Sequence, residues 1–411
     1  MLLIHLAASA TAFDPEAATK AYLATLSGAA RAKSDAYFEG GYWLLLWGAL
    51  VSIFAELVQL HFGLSARYRD WAERVTKRRW LVPALYAIPY VIIGTLIVLP
   101  WTIYTGFVRE RQYDLMNQSF AEWIFDQGKG LGIGIIGVAL VLMAIFAVIR
   151  RSPKRWWLWG ALTMSLITAV ASAVFPVFVA PLFNTYKEMP QGPVRDRILS
   201  MAHANHVPTE HIYVFDASKQ TKRISANVSG LGPTIRVSLN DNLLNRTTPE
   251  QTAAVMGHEL GHYVLGHVWK GIIAFTFIFL LAFWLLSRIA PAFIQRYGTR
   301  WGVRDVADPA VVPIFSMIVS VLFLLLTPVT NTLIRTHESE ADVFGLETAR
   351  EPDGFAQTAL KLSEYRKLEP GAIEEAVFFD HPSGRTRIRM SMDWKAAHLA
   401  EVERKEAAKP R

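Results

Sequence analysis

Apolar residues in this chain gather into long blocks instead of alternating with polar ones. Six windows of about twenty mostly apolar residues have the length a helix needs to cross a hydrocarbon core of ~30 Å. They are Tyr42–Phe62, Val82–Val108, Gly130–Ile149, Leu158–Phe183, Gly271–Ile289 and Val311–Ile334. Charge or interface-loving aromatics flank them, among these Trp80, Trp101, Trp156, Trp157 and Trp159. Prolines interrupt the second, fourth and sixth (Pro83, Pro89, Pro100; Pro176, Pro181; Pro313, Pro328), which a bilayer tolerates where neighbouring helices or a watery cavity satisfy the freed carbonyls. Gly130, Gly132, Gly134 and Gly137 in the third predict close helix packing.

Between and around the spans the pattern changes period. Met1–Ala12 is apolar, too short to span, and lacks the basic start of a signal peptide. Asp14-Pro15-Glu16 reads as a helix start, and the Ala-rich stretch to about Phe38 as a helix outside the bilayer. In the long polar segment Asn184–Lys270, His211–Phe215 predicts a strand, and Ile224–Gly230 with Thr234–Leu239 a hairpin. Thr248-Pro249-Glu250-Gln251 carries a threonine N-cap, a proline at the first position and a glutamine that completes a capping box. Another helix is expected over Thr336–Arg350, and the end of the chain is a basic tail. The expected organisation is an N-terminal helical segment (1–41), four spans (42–183), a catalytic segment (184–270), two spans (271–334) and a C-terminal catalytic segment (335–411).

Composition agrees with the blocks. Of 411 residues 52% are hydrophobic and 19% charged, against roughly 25% charged in an ordinary soluble domain. The mean hydropathy of +0.25 excludes a disordered chain and an average soluble enzyme. The absence of cysteine excludes a disulfide framework, a thiolate metal site and a cysteine nucleophile. A net charge of +7 raises the question of nucleic acid, but the cations are juxtamembrane. Arg67, Arg69, Arg74, Lys77, Arg78 and Arg79 lie between the first two spans, and Arg150, Arg151, Lys154 and Arg155 between the third and fourth. The expected partner is therefore a lipid bilayer and not a nucleic acid.

The chemistry sits on the helix opened by Thr248, in His258-Glu259-Leu260-Gly261-His262. Positions four apart on a helix differ by only about 40°, so both imidazoles project from one face and can share a metal ion. Neutral imidazole suits zinc, and a catalytic zinc takes three protein ligands and keeps one position open. Glu259 is offset from the ligand face, where a carboxylate can move a proton from water to a leaving amine. A third ligand must come from elsewhere. In His337-Glu338-Ser339-Glu340-Ala341-Asp342, Glu338 and Asp342 share a helical face while Glu340 lies about 200° round. Spacing leaves Glu338, Asp342 and His337 all open. Among other ionisable groups, His267 and His61 read as interfacial, and Glu56, inside the first span, as facing a bundle interior or water.

H-E-L-G-H, two spans and then E-S-E-A-D together resemble the integral-membrane CaaX prenyl endopeptidases, zinc metalloproteases with a His-His-Glu ligand set. Ala180–Asn184, Asn227–Gly232 with the strand to Leu239 and Asp241, Ala341-Asp342, and His381-Pro382 with Arg387 resemble further stretches of that family. The resemblance runs from about residue 42 to 395 and is densest after Phe175. It implies that Glu338 is the third zinc ligand, that Asp342 stands behind a ligand histidine, and that His381 and Arg387 stabilise the oxyanion. It also implies that Asn227 and Gly230, on the Ile224–Gly230 strand, bind an extended substrate at a sheet edge. The chain departs from the family by one span at its start, where the family has seven. The family's catalytic side faces the cytosol, whereas the basic loops, by the positive-inside rule, place it on the opposite side.

The expected fold is thus mainly α: a multi-spanning helical bundle with a small α+β zinc metalloprotease domain built from two soluble segments. The expected activity is hydrolysis of peptide bonds at or in the membrane, with one zinc ion per chain. By resemblance the substrate is a prenylated C-terminal peptide. The rivals are a protease for misfolded membrane proteins and, outside enzymes, a transporter or receptor with a structural metal. That last would need a fourth protein ligand, which the sequence does not obviously offer.

Overall fold

A computed structural model describes residues 13–229 and 235–407. Met1–Ala12 and Gly230 lie outside the described residues. Helix α1 (Pro15–Thr25) starts as read, with the Asp14 carboxylate accepting from the Glu16 amide. The chain then breaks at Gly28, whose φ of +61° suits glycine. From there α2 (Gly28–His61) runs through Phe38 and Tyr42 without interruption, so the expected separate helix and first span are one 34-residue element. An amphipathic helix, α3 (Leu64–Val75), precedes α4 (Val82–Ile103), which is followed by α5 (Phe120–Arg151) and α6 (Trp156–Val174). A π-turn continues α4 at Tyr104–Val108, and another at Phe175–Val179 takes up Pro176 in α6. The capping box at Ser119, which the Glu122 side chain completes, opens α5.

The small sheet has the strands β1 (Tyr186–Glu188), β2 (Ile212–Phe215), β3 (Ala226–Ser229) and β4 (Arg236–Asn240), in the order β1-β2-β4-β3. The expected hairpin is β3 against β4, antiparallel, with Asn227 opposite Ser238. A parallel pairing of β2 with β4 went unread because its partners are far apart in sequence. Helices α7 (Pro193–Ala204) and α8 (Asp241–Arg246) flank the sheet. Helix α9 (Pro249–Val264) begins with the predicted Thr248–Gln251 capping box. Its buried face, with Met256 and Leu260, packs against Ile212, Val237 and Leu239 of the sheet.

Two long helices follow: α10 (His267–Trp301) and α11 (Val312–Ala349). With α2, α4, α5 and α6 they make six helices long and apolar enough to cross a membrane. Their shared core includes Tyr86, Phe146, Trp156, Phe283 and Ile314. Three short C-terminal helices, α12 (Pro352–Leu362), α13 (Ala372–Phe378) and α14 (Gly384–Ala397), complete the second soluble segment with α15 (Leu399–Ala407). One packing expectation fails: a Cβ at Gly130, Gly132, Gly134 or Gly137 would meet nothing within 4 Å, so these glycines make no tight helix contact among the described residues.

The decisive contact for the site is the crossing of α9 and α11. A Cβ on Gly257 would lie 2.9 Å from the Gly345 carbonyl, and one on Gly345 would lie 2.8 Å from the His258 amide nitrogen. Only hydrogen fits at these positions, so the two backbones approach closely enough for side chains of both helices to meet. Helix α1 clasps the far side of the C-terminal segment. Leu23 packs with Ala356 and Ile388, Glu16 pairs with Arg385 and Arg389, and Tyr22 donates to Asp353 at 2.7 Å.

Candidate active site

The α9–α11 crossing brings three donors together. His258 Nε2 and His262 Nε2 are 3.1 Å apart. Glu338 Oε2 lies 3.2 Å from the first, and Glu338 Oε1 3.4 Å from the second. All three ligand atoms fall within 4.8 Å of one another. Asp342, one turn further along α11, is fully buried behind His258, its Oδ1 2.7 Å from His258 Nδ1. Arg387 Nη2 donates to that same oxygen at 2.5 Å.

Hydrogen-bond accounting tests whether a cation fits. Asp342 is an acceptor, so His258 Nδ1 carries the proton and Nε2 presents a lone pair. His262 Nδ1 is 2.8 Å from His267 Nδ1, and His267 Nε2 is 3.0 Å from Glu340 Oε2. With Glu340 accepting from His267, and His267 in turn from His262, the second Nε2 also presents a lone pair. With both imidazoles neutral, two lone pairs and a carboxylate converge, and Glu338 Oε2 is buried without a hydrogen-bond partner. Such an arrangement repels itself unless a cation is shared, and nitrogen and oxygen donors of this kind fit a divalent metal.

A cavity of about 200 Å³ opens beside these atoms, lined by His258, Glu259, Glu338, Arg366, His381 and Arg387 among others. Burial pushes the Glu259 carboxyl above the ordinary carboxylate range. His381 Nε2 lies 3.2 Å from Glu338 Oε2, while its Nδ1 donates to Asp380 at 2.8 Å. Burial disfavours the charged imidazolium of His381 and holds its pKa down, although the Asp380 carboxylate opposes this. Arg387 keeps a buried Nε without a partner.

On the sheet edge the wall of the cavity is Ile224, Ser225 and Ala226. Asn227, the next residue, lies on the edge strand β3 but not among the residues lining this cavity.

Residue spacing missed His267 and Glu340. His267 reads as interfacial and Glu340 as lying round the helix from Glu338, and neither reading places them behind His262. Instead the chain turns at Gly266, with φ +67°, and returns a 6% exposed His267 to His262. The dipeptide Leu265-Gly266, a helix stop followed by a restart, was the available signal. Glu340 then serves the histidine that stands behind His262, not the metal position itself. His337 stacks on His267, with ring centroids 4.6 Å apart, and is not part of the His258, His262 and Glu338 cluster.

Comparison with known proteins converges on the same class. Residues 188–394 match the model of peptidase family M48, and residues 15–185 match a family described as CAAX prenyl protease N-terminal, five membrane helices. An uncharacterized metalloprotease of Bacillus subtilis, YhfN, is 26% identical over 360 residues, covering 87% of this chain and 84% of its own. CAAX prenyl protease 1 of Saccharomyces cerevisiae is 26% identical over 316 residues, covering 72% and 69%. The Arabidopsis thaliana homologue of CAAX prenyl protease 1 is 28% identical over 298 residues, covering 71% and 69%. Among solved structures, S. mikatae Ste24p has the same fold, with a TM-score of 0.74 over 92% of this chain and 94% of that one at 20% identity.

Fold and relatives together define a multi-pass integral membrane metalloendopeptidase. The chain belongs to peptidase family M48.

Proposed function

We propose that this chain is a zinc endopeptidase that trims prenylated peptides near their C-terminus. Convergence of two imidazole nitrogens and the Glu338 carboxylate within 4.8 Å, each imidazole backed by its own hydrogen-bond partner, is the observation that carries the metal assignment. His258, His262 and Glu338 would hold the zinc, which supplies Lewis acidity to the scissile carbonyl and the attacking water.

The remaining steps belong to the chain's own side chains. Glu259, on the cavity wall beside His258, takes the proton of the attacking water and delivers it to the departing amine. Its raised pKa suits both tasks, because a weakly basic carboxylate would release water's proton too readily and hold none for the amine. Arg387, which lines the cavity and keeps a buried Nε without a partner, stabilises the oxyanion of the tetrahedral intermediate. His381, on the cavity wall with its Nδ1 held by Asp380, is the second group placed to stabilise that oxyanion. An extended peptide lies along the Ile224–Ala226 edge, held by main-chain bonds that accept varied side chains. The prenyl preference rests on the named relatives, the CAAX prenyl proteases of yeast and Arabidopsis.

Two measurements on the purified chain test the reading. Glu259→Gln should retain about one zinc per chain and lose peptide cleavage by roughly 10²-fold or more. Cleavage persisting at the wild-type rate overturns the proton-transfer assignment. Prenylated and unmodified versions of one peptide, assayed side by side, should differ in kcat/KM in favour of the prenylated form. Equal rates, with efficient cleavage of unfolded membrane proteins, would favour the quality-control alternative.

A further inference from the structure

At the far end of the bundle lies a second cavity, of about 450 Å³, that the peptidase reaction does not use. It sits where α4 begins, α5 ends and the α10–α11 connection passes. Helix α10 starts at the active site with His267 and runs 35 residues to Trp301. At 1.5 Å per residue the cavity is therefore about 50 Å from the metal position, at the opposite membrane surface.

Its walls carry Lys77, Arg79, Arg150 and Arg304 together with Glu73, Asp305 and Asp308. Every acid is already engaged. Glu73 binds Arg304 at 2.7 Å, Asp308 forms a buried pair with Arg69, and Asp305 accepts from the Ala307 amide at 2.7 Å. Of the cations, Arg304 is thereby neutralised. Lys77 reaches only the Glu73 carbonyl, at 3.5 Å. Arg79 and Arg150 have no hydrogen bond or ion pair with any acid among the described residues. Three cations without an acid partner, Lys77, Arg79 and Arg150, thus face one concave site at headgroup depth against a single carboxylate, Asp305, that no cation pairs with among the described residues. Trp80 beside the site is 51% exposed, as an interfacial anchor would be.

We propose that this cavity takes the phosphate of an anionic phospholipid headgroup, gripped by Arg79 and Arg150 with Lys77 at the rim. Guanidinium groups match a phosphate's oxygens in pairs, and basic pockets between span ends are where lipid headgroups collect. The site explains the strong basic bias of the loops facing away from the catalytic segments: part of that charge forms a pocket and part a diffuse surface.

The test uses the full chain in nanodiscs, with phosphatidylglycerol competing against phosphatidylcholine, and counts retained lipid by native mass spectrometry. Arg79→Gln/Arg150→Gln should lower the preference for phosphatidylglycerol by roughly tenfold or more, the effect of two headgroup-depth cations. Arg151→Gln/Arg155→Gln removes the same charge from exposed positions outside the cavity and should change it less than about twofold. If both pairs reduce the preference equally, or neither does, there is no pocket and the idea fails. Should inorganic phosphate at millimolar concentration displace the lipid completely, the site is one for free anions and the lipid assignment falls. The single variant Arg79→Gln, at an exposed position, carries the same comparison if the double variant does not fold.

Discussion

Each proposed metal-ligand histidine is fixed through its second nitrogen, but by different means. His258 leans on a carboxylate, Asp342, that Arg387 holds in turn; His262 leans on His267, which Glu340 holds. Groups behind a ligand typically alter metal affinity 10–100-fold. Glu338→Ala should abolish zinc retention, whereas Asp342→Asn should retain zinc with an affinity 10–100-fold weaker, read by competition with a chelator. The reverse ranking would exchange the two proposed roles. His267→Ala should raise the rate of zinc loss by a similar factor while the melting point of the metal-free protein barely moves. An equal fall in both would mean that His267 serves packing alone.

Among elements, the crossing of α9 and α11 matters most, because it joins parts of the site that lie 80 residues apart. Gly345→Ala would push a methyl group against the His258 backbone. Overpacking of this kind costs about 1–3 kcal/mol. The expected result is a lowered thermal midpoint together with loss of bound zinc, measured on one preparation. A fall in stability with full zinc content would show that the crossing can relax without moving Glu338. The same element shows how far local reading reaches. Pairing of His258 with His262 was legible because positions four apart on one helix meet by periodicity alone. Choosing Glu338 over Asp342 was not legible without the family resemblance, since both share a face of α11 and only the level at which α9 crosses it separates them. His267 escaped because a left-handed glycine at 266 restarts the helix in a new direction.

At the scale of the whole molecule, residues from both ends of the chain close the soluble half. The loop residue Glu369 pairs with Arg31 on α2 and with Arg385 on α14. Burial works against its ionisation, but the two arginines prevail and hold its carboxyl below the ordinary value. A depressed carboxylate pKa contributes stability that is complete above the unfolded-state value near 4.3 and is lost as pH falls through the folded value. Wild type should therefore melt above Glu369→Gln at pH 7, and the gap should narrow as pH drops below about 4. A gap that stays constant with pH would assign the effect to packing.

Length and apolarity by themselves determined the membrane spans, because a hydrocarbon core demands about twenty apolar residues whatever the fold. Helical periodicity likewise determined that His258 and His262 share a face, and capping chemistry where α1 and α9 begin. Tertiary structure alone decided which acid meets the imidazoles, which histidine returns to support them, and which strand edge walls the cavity. It also decided that α1 belongs with the C-terminal helices and that Arg79, before α4, and Arg150, at the end of α5, line one cavity. The division has one physical cause. Span length, periodicity and caps are set by neighbours within a turn or two of helix. Facing, return and clasp depend on how helices rotate and cross, which close contacts such as Gly257 against Gly345 fix only once the whole chain is packed.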